Sequence, residues 1–217
     1  MVGVLRKARV VGVLRAPSAS SAVEAALAAV RGGLRALELT FTTPGVSGAL
    51  RELQERLSED VLLGAGTVMS APEAEAAIEA GARFLVSPHL GEDVLELCRA
   101  RGIPYIPGVL TPTEIVRARS LGAEVVKVFP AGSSGGIHYL KDLLGPFPDL
   151  EILATGGIKP SEVPAYLQVG VLAVGLGSNL FPKTALEAGD WDTVEAATRQ
   201  ALGEAGVACG EEVRAKR

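Results

Sequence analysis

The sequence predicts an α/β protein with the fold of a compact (β/α)8 TIM barrel. Three observations favour this fold: eight short runs rich in Val, Ile, Leu and Ala, a spacing of about 20–27 residues between their starts, and an amphipathic stretch after each run. The runs are continuously apolar rather than alternating, which is typical of parallel strands covered on both faces. They begin near Val10, Leu34, Val61, Phe84, Ile103, Val125, Ile152 and Val171.

The stretches between the runs carry the signals of helix ends. Capping-box patterns of the form Ser/Thr-x-x-Glu begin at Ser21, Ser70 and Thr111. Prolines follow two of these caps in the first helical turn, where a proline is tolerated, at Pro72 and Pro112. Glycines lie where the helices should end, at Gly32, Gly81, Gly102, Gly122 and Gly170. The repeat is therefore strand, turn and helix.

Two architectures accommodate such a repeat. An open doubly wound sheet has about five to seven strands and a glycine-rich first turn, whereas the first turn here is Leu14–Ser18, without that pattern. Eight units favour the closed barrel. Since no linker or change of composition divides the chain, residues 1–217 are predicted to form a single domain. It has a short N-terminal lead-in, a final helix after Asp190 and a charged C-terminal tail.

The composition excludes several classes of function. The 217 residues are 48% apolar and 21% charged, with a net charge of −4, which argues against disorder and against a basic surface for nucleic acid or membranes. The apolar runs are shorter than the roughly 20 residues of a spanning helix. Two cysteines, Cys98 and Cys209, favour a reducing, cytoplasmic setting over a disulfide scaffold. Two histidines, His89 and His138, argue against a histidine-rich zinc site.

Lys127 is the strongest candidate for a catalytic residue. A barrel of this type works at the carboxyl ends of its strands, and Lys127 lies in the apolar run Val125–Phe129. Burial favours the uncharged amine, which is the nucleophilic form. The alternatives are a lysine that reaches outward to solvent and a structural ion pair with a buried carboxylate.

Glu38 is the candidate proton carrier. It follows the run Leu34–Leu37 at the end of the second strand, and in a barrel it can point across the mouth toward Lys127. A carboxylate in a dry pocket suits the proton transfers that a Schiff base requires. The alternative is a structural ion pair with Arg35 or Arg15.

Two glycine-rich segments end the last two strands, where barrels often bind phosphate through backbone N–H groups. Glycine allows the close approach of oxygen atoms, and a serine hydroxyl can add a donor. The predicted phosphate-binding residues are Gly156, Gly157, Gly177 and Ser178. The alternative is that these glycines only serve tight turns.

Three further residues allow weaker predictions. Thr67 ends the segment Gly64–Thr67 after the third strand, where its hydroxyl could hold a carboxylate or cap the next helix. His89 is predicted to be a loop residue, and Cys98 to be inert packing within a helix.

Taken in order, these motifs resemble the 2-keto-3-deoxy-6-phosphogluconate (KDPG) and 4-hydroxy-2-oxoglutarate (KHG) aldolase family, from about Val10 to Asp190. The motifs are Gly64–Thr67, Ser87–Pro88, Pro107–Gly108, Lys127–Pro130, Thr155–Gly157 and Gly177–Ser178. The resemblance implies a class I aldolase, usually a homotrimer, that releases pyruvate from a phosphorylated 2-keto-3-deoxy acid without a metal or other cofactor.

The resemblance also implies a role for each matching residue. It implies that Lys127 forms the Schiff base and that Glu38 is the general acid and base. Around them, it implies pyruvate contacts for Thr67, Pro88 and Phe129 and phosphate contacts for Gly156, Gly157 and Ser178.

One position departs from the best-known pattern. Phosphogluconate-type members carry an arginine four residues after the glutamate, and here that residue is Thr42. Arg15, at the end of the first strand, resembles the galactonate-type relatives and is predicted to hold the substrate carboxylate instead. The epimer of the substrate therefore stays open.

Other functions remain as alternatives. A metal-dependent aldolase is disfavoured because two histidines cannot supply three histidine ligands. An isomerase, a thiamin-phosphate-synthase-like transferase or a non-catalytic phosphate-binding barrel would share the glycine loops. The two enzymes have no need for a buried lysine in the sixth strand, and the binding barrel leaves Lys127 and Glu38 unexplained.

Overall fold

A computed structural model describes residues 1–207 of the chain. Within them, nine parallel strand segments form a sheet that closes on itself. The segments are β1 (Val10–Leu14), β2 (Ala36–Thr40), β3 (Leu62–Gly66), β4 (Leu85–Val86), β5 (Tyr105–Ile106 and Gly108–Val109), β6 (Val125–Val128), β7 (Glu151–Thr155) and β8 (Ala173–Leu176). β1 pairs with both β2 and β8, while the two halves of β5 pair with β4 and β6. The predicted (β/α)8 barrel is confirmed.

β5 is divided at Pro107, which has no N–H group to donate. The Pro107 carbonyl nevertheless accepts the Lys127 N–H at 2.8 Å, and the Gly108 N–H donates to the His89 carbonyl at 3.0 Å. The ring of strands therefore stays hydrogen-bonded through the proline.

Helices surround the barrel and connect its strands. They are α1 (Val2–Ala8), α2 (Ala19–Arg31), α3 (Val46–Arg56), α4 (Ala71–Glu79), α5 (Glu92–Arg101), α6 (Pro112–Ser120), α7 (Gly136–Leu144), α8 (Val163–Gln168), α9 (Lys183–Ala188) and α10 (Trp191–Glu204), with a 3-10 turn at Pro160–Glu162. None of the helices described is long and apolar enough to cross a membrane. α10 is the final helix expected after Asp190. The charged tail and Cys209 lie outside the described residues, so the single domain through residue 217 stays a prediction.

Side-chain caps set several of the helix starts. Ser70 and Thr111 cap α4 and α6 as predicted, and Thr111 forms the full capping box with Glu114. The predicted cap at Ser21 is wrong, because the Ser18 hydroxyl accepts the Ser21 N–H at 3.2 Å. A serine three residues earlier satisfies the first-turn N–H groups, so α2 begins nearly a turn sooner.

Helix α1, which is the N-terminal lead-in, closes the amino end of the barrel. Its Leu5 is fully buried and belongs to an apolar cluster with inward-facing strand residues. The cluster includes Val11, Ala36, Leu62, Phe84, Ile106, Val125, Leu153 and Ala173. This end of the barrel is therefore an apolar floor rather than a pore.

Another layer of inward-facing side chains lies directly above this floor, toward the carboxyl ends of the strands. Side chains alternate along a strand, so the residue two positions after each floor residue also faces the interior. By this rule Glu38 lies above Ala36, Lys127 above Val125 and Thr155 above Leu153. The alternation that builds the apolar floor therefore brings three polar side chains to the mouth.

Candidate active site

Lys127 and Glu38 meet inside the barrel mouth. The Lys127 Nζ lies 3.7 Å from the Glu38 Oε1, and the two side chains are 6% and 1% exposed. They come from β6 and β2, on opposite sides of the ring, and each is buried by the strands beside it. The sequence prediction that these two side chains face each other agrees with this geometry.

The Glu38 carboxylate is short of partners. Within residues 1–207 neither of its oxygens accepts a hydrogen bond, and 3.7 Å is longer than a direct bond to the ammonium. Burial raises the pKa of Glu38, while the nearby charge of Lys127 acts in the opposite direction. The carboxyl group therefore holds a proton at higher pH than an exposed glutamate does. Its alternative partner Arg35 instead contacts Asp60 at 3.5 Å.

The end of β3 is shaped around this carboxylate. A Cβ atom at Gly66 would lie 2.5 Å from the Glu38 Oε1, so only glycine leaves room for the side chain. The next residue, Thr67, has a φ of 54°, which is uncommon for a residue with a side chain. The alternative that Thr67 caps the following helix is wrong, because Ser70 is that cap. The Thr67 hydroxyl is thus not used as a helix cap.

Phe129 connects the lysine to the loop after β7. Its ring centre lies 5.4 Å from the Lys127 Nζ, within the range of a cation–π contact, and the residue is 39% exposed. A Cβ atom at Gly156 would lie 3.1 Å from the same ring. The aromatic ring therefore forms a wall between the lysine and the predicted phosphate loop.

The two glycine loops differ in what their geometry requires. Gly156 and Gly157 have φ values of 96° and 73°, where glycine is favoured, so the turn alone demands them. Gly177 has no positive φ, and its turn would tolerate another residue. Ser178 follows it and is exposed. A Cβ atom at Gly177 would lie 3.6 Å from the Val13 carbonyl oxygen, an ordinary contact, so its neighbours do not require glycine either.

The remaining predicted residues lie around the same rim. Arg15 follows the last residue of β1, is exposed, and makes no ion pair within residues 1–207. Pro88 follows β4 and packs its backbone against Gly108. Thr42 is exposed, with its hydroxyl 2.8 Å from that of Thr40. Lys127 contacts Glu38 and Phe129, whereas Arg15 and Pro88 lie at the same rim of the barrel.

Thr155 is a further inward-facing residue of the mouth, for which its motif predicts no role of its own. It is 6% exposed, and within the described residues its hydroxyl has no hydrogen-bond partner. A Cβ atom at Gly175 would lie 2.5 Å from the Thr155 Oγ1, so the neighbouring strand is shaped to admit this side chain. The sequence feature that could have identified it is its position in the strand next to that of Lys127, where its side chain also points inward.

The two remaining predictions concern His89 and Cys98. His89 follows β4 in a loop, as predicted, with its Nδ1 buried and without a partner in the part described. Cys98 is buried in α5, and burial raises its pKa to about 12, which makes the thiol unreactive. Among residues 1–207, no group of three or more His, Cys, Asp and Glu side chains could hold a metal ion.

Comparison with known proteins identifies the family. The family model described as KDPG and KHG aldolase matches residues 1–197. The 2-dehydro-3-deoxy-phosphogluconate aldolase of Pseudoalteromonas atlantica is 37% identical, covering 91% of this chain and 92% of its own. The KHG/KDPG aldolase of Escherichia coli is 38% identical, covering 92% and 93%.

A solved structure agrees with these sequence matches. The KDPG aldolase of Legionella pneumophila, crystallised with pyruvate captured as a covalent carbinolamine intermediate, superposes with a TM-score of 0.85. It is 32% identical and covers 92% of this chain and 97% of its own. The predicted resemblance is confirmed over nearly the whole barrel. The chain belongs to the KDPG and KHG aldolase family of carbon–carbon lyases.

Proposed function

We propose that this protein is a class I aldolase that cleaves KDPG to pyruvate and glyceraldehyde 3-phosphate, or 4-hydroxy-2-oxoglutarate to pyruvate and glyoxylate. The observation that carries the proposal is the buried contact between Lys127 and Glu38, 3.7 Å apart at the barrel mouth. An isomerase or a phosphate-binding barrel does not need the buried nucleophilic amine that a Schiff base requires.

Lys127 is the nucleophile in this mechanism. Its amine attacks the C2 carbonyl of the substrate to give a carbinolamine, and loss of water gives a protonated imine. The imine draws in the electron pair of the C3–C4 bond as that bond breaks, so the aldehyde leaves and an enamine of pyruvate remains. Protonation at C3 and hydrolysis then release pyruvate and restore the amine.

Glu38 moves the protons of these steps. Its carboxylate accepts the proton of the C4 hydroxyl as the C3–C4 bond breaks, and the resulting acid returns a proton to C3 of the enamine. A pKa raised by burial suits both tasks, because the group must take and give a proton near neutral pH. Its unpaired oxygens are free to contact the substrate or a bridging water.

The rim residues orient the substrate. Arg15 and the Thr67 hydroxyl hold the C1 carboxylate, and Pro88 and Phe129 line the pyruvate portion. Backbone N–H groups at Gly156, Gly157 and Gly177, with the Ser178 hydroxyl, hold the distal phosphate. Thr155 lies between Lys127 and these loops, beside the carbon chain that is cleaved.

A second candidate is the galactonate epimer of the same phosphorylated keto acid. Thr42 stands where phosphogluconate-type members have an arginine, and it is exposed with its hydroxyl directed to Thr40. The carboxylate then depends on Arg15, as in the galactonate-type relatives that the sequence resembles. Steady-state rates of pyruvate release from both epimers decide between the two substrates.

We also propose that the enzyme works in the cytoplasm as a homotrimer, with no metal or cofactor. The family resemblance supports the trimer, and a buried free Cys98 is compatible with a reducing compartment. Light scattering coupled to gel filtration measures the oligomer, and dialysis against a metal chelator should leave activity unchanged.

Borohydride trapping tests the central proposal. With pyruvate present, sodium borohydride should inactivate the protein and add one reduced pyruvyl group at Lys127, which peptide mass mapping locates. The Lys127→Ala variant should lose both the label and the cleavage activity. A label on another lysine, or undiminished labelling of the variant, would refute the Schiff-base assignment.

A further inference from the structure

The backbone after β1 is attached to the loop after β2 by one side chain. The paired register of the two strands ends at Leu14 opposite Leu39. Beyond that pair, the Ala16 N–H donates to the Thr43 Oγ1 at 3.1 Å, between residues 27 positions apart in the chain. Arg15 therefore lies between a strand residue held by the sheet and an N–H group held by a hydroxyl.

Thr43 is itself held in place. It is 2% exposed, and its N–H donates to the Thr40 carbonyl at 2.9 Å, which closes the turn after β2. Its carbonyl accepts the Val46 N–H at 3.3 Å at the start of α3. The hydroxyl that receives the Ala16 N–H is thus anchored by the turn on one side and by a helix on the other.

The chain on the other side of Ala16 also has little freedom. Pro17 fixes its own φ angle, and Ser18 caps α2 with its side chain. The Arg15 side chain is exposed and without an ion pair in residues 1–207, so no carboxylate orients its guanidinium. What the backbone fixes is therefore the direction of the Cα–Cβ bond, from which the side chain leaves β1.

We propose that Thr43 is a positioning residue for the substrate carboxylate. By holding the Ala16 N–H, its hydroxyl fixes the direction in which Arg15 leaves β1. This inference rests on the proposed contact of Arg15 with the keto-acid carboxylate. A guanidinium binds a carboxylate through a planar fork of two N–H groups, so a small rotation of the backbone weakens both bonds together.

The test is the variant Thr43→Val, which removes the hydroxyl and nearly keeps the shape. We expect the KM for the keto acid and the half-saturating pyruvate concentration in borohydride trapping to rise by roughly three- to tenfold. The kcat and the inhibition by inorganic phosphate should stay within about twofold, since only a binding contact at the carboxylate end is weakened. Thr43→Ser, which keeps the hydroxyl, should restore the wild-type KM.

Two comparisons separate positioning from a general structural effect. Thr198→Val removes another buried threonine hydroxyl, in α10, and should leave the KM unchanged. In an Arg15→Gln background, Thr43→Val should raise the KM no further, because the residue acts through Arg15. Should Thr43→Val fail to fold, Thr43→Ala replaces it with the same expectation.

The outcomes distinguish this inference from the proposed function. If Arg15→Gln leaves the KM unchanged, the carboxylate role of Arg15 is wrong and the inference falls with it. If Arg15→Gln raises the KM while Thr43→Val does not, the inference alone is overturned. An equal rise in the wild-type and Arg15→Gln backgrounds also overturns it, since Thr43 would then act independently of Arg15.

Discussion

The two ends of the barrel are built on opposite principles. At the amino end, Leu5 of α1 completes a floor of buried apolar side chains. At the carboxyl end, Glu38 and Thr155 are also buried but leave three oxygen atoms without hydrogen-bond partners in the described residues. The same strands supply both ends, since the two layers are two residues apart.

This difference assigns stability to one end and chemistry to the other. Burying apolar surface stabilises a fold, whereas a buried polar atom without a partner costs about 1–3 kcal/mol. The apolar floor, which α1 closes, can offset this cost although it contributes no side chain to the mouth. Variants at the two ends should therefore separate stability from turnover.

The largest effect is expected for Glu38→Gln. The amide keeps the shape of the carboxylate but cannot carry a proton, so cleavage should fall by roughly 10²–10⁴-fold. Pyruvate should still form the imine with Lys127, and borohydride should still trap it. Near-normal turnover by the variant would make the Lys127–Glu38 contact a structural ion pair.

The pH profile gives a second measurement of the same group. Glu38 accepts a proton in its ionised form, and its pKa is raised above the ordinary value of 4.5, mainly by burial. As pH falls through that raised pKa, the carboxylate becomes protonated and kcat/KM should decline. The midpoint should lie above 4.5, and the Glu38→Gln variant should lose this limb of the profile.

A large effect on stability, without an effect on chemistry, is expected for Leu5→Ala. Truncating a fully buried leucine in the floor should lower the free energy of unfolding by about 2–5 kcal/mol, measured by denaturant titration. The kcat should be unchanged where the variant is folded. Val4→Ala is the matched control, since Val4 is 43% exposed in the same helix and should cost under about 0.5 kcal/mol.

A fall in the kcat of folded Leu5→Ala would break the comparison, because the floor would then shape the mouth. Unchanged stability would show that α1 does not close the barrel in solution.

Local signals explain which parts of this molecule the sequence predicts. Each strand and helix carries its own apolar run and end signals, so the barrel and the facing of Lys127 and Glu38 follow from pattern and topology. The Ser-x-x-Glu pattern favours Ser21 as the cap of α2, whereas Ser18, which lacks a glutamate three residues later, is the cap, so the local pattern selects the wrong serine. The missing partner of Thr155 and the bond from Ala16 to Thr43 depend on the packing of distant segments. No short sequence pattern encodes such contacts.

The smallest effect, and the sharpest test of the comparison, is expected for Thr155→Val. The Thr155 hydroxyl has no partner among the described residues, so its removal should leave the free energy of unfolding unchanged or raise it by up to about 1 kcal/mol. The substrate chain would lose a hydrogen bond between Lys127 and the phosphate loops, and kcat/KM should fall by about tenfold, or ~1.4 kcal/mol.

Thr198→Val is the control for this substitution, because the Thr198 hydroxyl is also buried but donates to the Leu180 carbonyl at 3.5 Å. Losing a hydroxyl that has a partner should destabilise the fold, by about 0.5–1.5 kcal/mol, and leave kcat/KM unchanged. Thr155→Val should therefore lower kcat/KM without lowering the unfolding temperature, whereas Thr198→Val should lower the unfolding temperature without changing kcat/KM. If Thr155→Val instead destabilises the protein and leaves kcat/KM intact, its hydroxyl belongs to the packing of the barrel. Thr155 would then belong to the stabilising part of the barrel, and the reactive mouth would begin above it.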